Sequence, residues 1–172
     1  RRKPPPSPRP ETPLLSRASE KPRVGFLKII LSMMYGGKSS FLIHLIETLG
    51  YACKILYINH TLDTRDVEPY STHSISLSKS LSTKLNSTMM KVPRLADVSD
   101  DVLKAHPVVC IDEAQFFPDL DERVRYMVDT LGLKVYVASL GGDYRRRKFG
   151  QVLDLVPNMD DIIHLKDTVC SP

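Results

Sequence analysis

The chain has 172 residues, 42% of them hydrophobic and 7% aromatic, with no tryptophan. That is room for one domain with a real core, and it offers no aromatic platform on which nucleic-acid bases could stack. The net charge of +4 sits at one end: residues 1–23 carry seven Lys or Arg against two acids, leaving seventeen bases and eighteen acids elsewhere, a balance that argues against a basic surface built for DNA or RNA.

Seven of the thirteen prolines fall in residues 1–22. Such a segment cannot bury enough apolar surface to offset chain entropy and is predicted to be a disordered basic tail. It lacks the apolar stretch of a secretory signal. Order is expected from residue 23, with a short buried strand over 24–31. The next stretch, Ser32-Met33-Met34-Tyr35-Gly36-Gly37-Lys38-Ser39-Ser40, approximates a phosphate-binding loop with Ser32 where the first glycine usually stands. Backbone N–H groups must wrap phosphate there, which requires a flexible glycine at Gly36 or Gly37. Lys38 would neutralise the β and γ oxygens of ATP, and the Ser39 hydroxyl is a hard ligand suited to Mg²⁺. A left-handed backbone at Ser32 would cost about 1–2 kcal/mol. A helix is predicted over 39–49, where Leu42, Leu45, Ile46 and Leu49 form one apolar stripe and Gly50 marks the stop.

A second strand is expected over 53–58, a long polar loop over 59–86, a strand over 87–92 and a helix over 96–105. His60 and His106 read as surface residues, and Met33, Met89 and Met90 as core filler. The strand predicted over 108–111 ends on Asp112-Glu113-Ala114-Gln115. Ligands of an open α/β sheet gather at the carboxyl ends of strands. Asp112 is therefore a candidate to hold Mg²⁺ through water, and Glu113 a candidate base. A helix over 119–131, a strand over 133–139, a helical turn over 149–155 halted by Pro157, and a strand over 162–165 complete the series. Arg145-Arg146-Arg147-Lys148 reads as a solvated turn. Strands alternating with helices predict an α/β fold, a parallel sheet of the P-loop NTPase type flanked by helices.

These blocks together resemble the thymidine kinases of the small, zinc-ribbon-bearing class. The family loop G-P-M-[FY]-[SAG]-G-K-[ST] is approximated at 32–39, K-D-T-R appears as Leu62-Asp63-Thr64-Arg65, and T-H appears as Thr72-His73. I-D-E-[GA]-Q-F-F is met in full by Ile111 through Phe117, and Ser139 through Tyr144 resembles A-L-D-G-T-F. Phe149-Gly150 and Leu155-Val156-Pro157 also match. The resemblance implies transfer of the ATP γ-phosphate to the 5′-hydroxyl of thymidine or deoxyuridine, with Mg²⁺. It implies Glu113 as base, with Arg65 and Lys38 at the transferring phosphoryl. The nucleotide would contact residues 32–40, Asp112 and Gln115. Met34, Asp63, Phe116, Leu140, Tyr144 and Phe149 would lie around the substrate, and a homotetramer is implied.

Family members continue into a zinc ribbon and a thymine-binding lasso loop. Cys170 matches the first ribbon cysteine, and residues 169–172 would begin that segment, so neither a complete zinc site nor a complete thymine site is expected within this sequence. Cys53, Cys110 and Cys170 are too few and too scattered for a disulfide scaffold and fit a reducing, cytoplasmic setting without membrane or nucleic-acid partners. Two alternatives stay open: a catalytically impaired nucleotide-binding remnant of such a kinase, and a helicase-like P-loop ATPase.

Overall fold

The computed structural model describes residues 25–34, 36–63, 86–145 and 147–165. The expectations placed on residues 1–22 and 169–172, and on Tyr35, Arg65 and His73, lie outside that set. The described residues form a six-stranded sheet in which every paired strand runs parallel. In chain order the main elements are β1 (Phe26–Ser32), α1 (Lys38–Leu49), β2 (Ile55–His60), β3 (Ser87–Val92), α2 (Asp100–Lys104), β4 (Val108–Ile111), α3 (Leu120–Arg125), β5 (Lys134–Leu140) and β6 (Asp161–Leu165). Across the sheet the order is β3-β2-β4-β5-β1-β6. β1, β4 and β5 therefore end side by side at one rim.

The short apolar runs become strands because both faces of the sheet are covered. On one face Ile30, Ile55, Tyr57, Val108, Cys110 and Ala138 meet Leu42 and Ile46 of α1. On the other, Ile29, Leu56, Ile58, Val109, Ile111, Val135 and Val137 pack with Leu95, Leu103, Phe117, Leu120, Val124 and Met127. Each fully buried Leu or Ile contributes roughly 2 kcal/mol. The α1 stripe predicted from spacing faces the sheet: Leu42 and Ile46 are buried, and Leu45 and Leu49, partly buried, pack against the same cluster. Among the described residues no helix is long and apolar enough to cross a membrane.

Three elements differ from expectation, each for a local reason. The helix predicted over 96–105 divides into a 3-10 turn, Leu95–Asp97, and α2. The Asp119 carboxylate accepts the Leu95 and Ala96 N–H groups at 3.1 and 2.8 Å, which holds the first turn as a separate unit. The helix predicted over 119–131 widens after Arg125 into a π-helical turn, Tyr126–Thr130, closed by Leu131 N–H on the Tyr126 carbonyl. The turn predicted to halt at Pro157 instead runs as a 3-10 helix, Val152–Asn158. Proline has no N–H to give the Asp154 carbonyl, and Arg125 donates to that carbonyl at 3.3 Å.

Candidate active site

Ser32 is the last residue of β1, buried and in register with Leu140. It lies in extended backbone, so the strain anticipated there does not arise. Its hydroxyl donates to the Met33 carbonyl at 2.7 Å and accepts from Lys38 Nζ at 3.3 Å. Lys38, itself buried, also donates to the Met33 carbonyl at 3.4 Å. Gly36 N–H closes the turn onto the Met33 carbonyl. Gly37, at φ +76°, precedes the helix, and a Cβ there would meet nothing within 4 Å. Conformation, not space, demands glycine at this position. The first turn of α1 has neither a side-chain cap nor an acid, which leaves its N–H groups and helix dipole directed at whatever anion enters the loop.

Asp112 follows β4 and is 1% exposed. Its Oδ2 accepts from Ser39 Oγ at 2.7 Å and from the Tyr57 hydroxyl at 2.8 Å, and its Oδ1 accepts from Glu113 N–H at 2.8 Å. Burial pushes the carboxyl above its ordinary range, against the pull of the Ser39 and Tyr57 hydroxyls. Burial first, and then the Asp112 charge, raise the Tyr57 phenol in turn. A cation would reverse the pressure on Asp112. The donor set fits one: a hydroxyl and a carboxylate 2.7 Å apart at the mouth of a phosphate-type loop are hard oxygen ligands. Among the described residues no group of three or more His, Cys, Asp or Glu could hold a metal. Mg²⁺ commonly takes only one or two protein oxygens and fills its octahedron with phosphate and water.

Glu113 stands at φ 50°, ψ 40°, the one left-handed non-glycine residue among those described. Such a backbone costs about 1–2 kcal/mol. Gln115 Nε2 donates to Glu113 Oε2 at 2.5 Å. The side-chain Oε1 of Gln115 accepts from Ser139 Oγ at 3.0 Å and Leu140 N–H at 3.2 Å. Its amide is thus committed to tying Glu113 to the end of β5. Behind it Gly150, at φ +66°, lies so close that a Cβ would fall 2.4 Å from the Gln115 carbonyl oxygen.

Around this centre, Asp63 accepts from Asn59 Nδ2 at 2.8 Å. Phe116 meets Phe149 edge-on, with centroids 5.7 Å apart. Met33, Met34 and Tyr144 are well exposed, and the Arg145 guanidinium lies over the Tyr144 ring at 5.1 Å. Met33 and Met89 are therefore not core filler. His60 and His106 are not surface residues. The His60 ring bridges the Pro93 carbonyl and Leu62 N–H and packs on Phe116 and Phe117. The ring of His106 bridges the Val102 carbonyl and Thr88 Oγ1. Arg145 and Arg147 form the exposed turn expected of them, their N–H groups donating to Asp143. Cys53 precedes β2 and is partly exposed, whereas Cys110 is buried within β4. Tyr57 and Ser139 were missed from the sequence. Both carry only a strand signal, and their partners, Asp112 and Gln115, lie in the turn that follows β4.

The thymidine kinase family profile matches residues 25–172. Among curated proteins, the cytosolic thymidine kinase of Cricetulus griseus is 35% identical over 144 residues, covering 82% of this chain and 56% of that protein. Its Homo sapiens counterpart is 34% identical, with 82% and 56% covered, and the thymidine kinase of Mycoplasma mobile is 34% identical, with 85% and 69% covered. The chain spans a little over half the length of the animal relatives it matches. On a profile match over residues 25–172, this chain belongs to the thymidine kinase family.

Proposed function

We propose that this chain is the ATP-binding core of a nucleoside kinase that transfers the γ-phosphate of ATP to the 5′-hydroxyl of thymidine or deoxyuridine. The observation that carries the reading is the 2.7 Å link from Ser39 to Asp112, which joins the phosphate-type loop to the acidic end of β4. In the proposed reaction the Glu113 carboxylate takes the proton of the 5′-hydroxyl, and that oxygen forms the new bond to the γ-phosphorus. The bond from phosphorus to the β,γ-bridging oxygen breaks, and ADP departs. Lys38 and the N–H groups opening α1 hold the phosphates and spread their charge. Ser39 and Asp112 would hold Mg²⁺, which when bound neutralises charge on the β and γ oxygens. Arg65 is assigned to the transferring phosphoryl group, and Met34, Asp63, Phe116, Leu140, Tyr144 and Phe149 to the nucleoside side of the cleft.

The test is transfer from γ-labelled ATP to thymidine by this chain, beside the same chain extended with a relative's C-terminal segment. Glu113→Gln should abolish transfer in whichever form is active while ATP binding persists. Normal turnover by Glu113→Gln would remove the base assignment. ATP binding without transfer in either form would favour the nucleotide-binding remnant.

A further inference from the structure

Packing accounts for the ring of Tyr57 but not for its hydroxyl. The ring lies in the apolar layer with Ile30, Leu42, Ile46 and Cys110, where phenylalanine would serve equally well. β2 and β4 pair Tyr57 with Cys110, and Asp112 follows two residues on. The phenol thereby reaches the same carboxylate oxygen as Ser39. A carboxylate offers about four lone-pair positions. The Ser39 and Tyr57 hydroxyls take two on Oδ2, and Glu113 N–H takes one on Oδ1.

We propose that Tyr57 is a positioning residue for the divalent cation: its phenol fixes the plane of the Asp112 carboxylate, so that the remaining position on Oδ1 is reserved for a water of the cation's shell. Ser39 donates its proton to Oδ2 and keeps its own lone pairs for the cation. Tyr57 does not touch the metal. Without the phenol, Oδ2 keeps one donor in a site closed to solvent, and the carboxylate can turn. This inference rests on the reading that Mg²⁺ and ATP share the loop.

The test is calorimetric titration of ATP into the full chain, in EDTA and across a Mg²⁺ series, for the wild type and Tyr57→Phe. The expected result is ATP affinity in EDTA within twofold of wild type, with the gain conferred by Mg²⁺ reduced five- to tenfold. In the Asp112→Ala background Tyr57→Phe should cause no further loss, because the two act through one group. Thermal unfolding in EDTA confirms that each variant is folded. An undiminished Mg²⁺ gain in Tyr57→Phe overturns the inference. So does an equal loss of affinity in EDTA, or a loss that persists in the Asp112→Ala background. A wild type whose ATP affinity ignores Mg²⁺ overturns the proposed function itself, and this inference with it.

Discussion

Replacing Gly150 by alanine tests whether close packing behind Gln115 supports the site. At φ +66° an alanine costs about 1–2 kcal/mol for its left-handed backbone. Roughly 0.4–1 kcal/mol is regained because the unfolded chain has less freedom to lose. The new Cβ would also lie 2.4 Å from the Gln115 carbonyl oxygen and 2.8 Å from its Cα, about 1 Å short of the 3.4 Å at which ordinary contact begins. Backbone must move to admit it, and overpacking of this kind costs about 1–3 kcal/mol. The sum is about 3 kcal/mol, or a melting temperature lower by about 6–12 °C for a chain of this size. Gly37→Ala is the matched control. Its φ is +76° but its Cβ enters open space, so it should cost about 1 kcal/mol. Urea unfolding followed by circular dichroism measures both. Where transfer is measurable, Gly150→Ala should also lower kcat by about a hundredfold, the cost of a 1 Å misplacement at a base. A Gly150→Ala protein no less stable than Gly37→Ala would refute the role given to this contact.

Gln115→Ala should lower kcat by about a hundredfold with KM for ATP little changed, since it loses the amide that anchors Glu113; steady-state kinetics decide it, and a change confined to KM would contradict the assignment. His60→Leu keeps much of the packing but leaves the Pro93 carbonyl and Leu62 N–H without their ring partner, at a cost of about 2 kcal/mol in the urea midpoint. Asp100 is held below the usual carboxylate range first by the Tyr126 hydroxyl, at 2.6 Å, and then by Arg123. A depressed folded value stabilises the protein above the unfolded carboxylate range, near pH 3.9, and that contribution is lost as pH falls through the folded value. Tyr126→Phe should therefore flatten the acid limb of stability as pH falls below the unfolded carboxylate range, read from urea midpoints across that limb.

Much of the active-site plan was legible because it follows from local chemistry. A glycine-rich stretch between an apolar strand and an amphipathic helix is a candidate phosphate loop on local grounds alone. Two acids after a buried run mark the strand end, where the ligands of an open α/β sheet gather. Misreadings fell where a side chain found a distant partner. His60 and His106 are polar residues that the sequence alone places outside, yet the Pro93 carbonyl and the Thr88 hydroxyl on neighbouring segments bring them in. Pro157 reads as a stop until Arg125 takes over the carbonyl that its missing N–H would have served.

By itself, then, the order of residues determined the parallel α/β class, the loop at Gly37, Lys38 and Ser39, and the candidate base and metal carboxylate. Periodicity and loop chemistry are set within a few residues. Strand order and register are not, because they depend on which runs meet across the sheet. Only the tertiary structure could decide that Ser32 needs no left-handed backbone while Glu113 does, that Gln115 braces the candidate base against β5, and that a tyrosine on β2, separated from β1 by two strands, shares a carboxylate oxygen with Ser39.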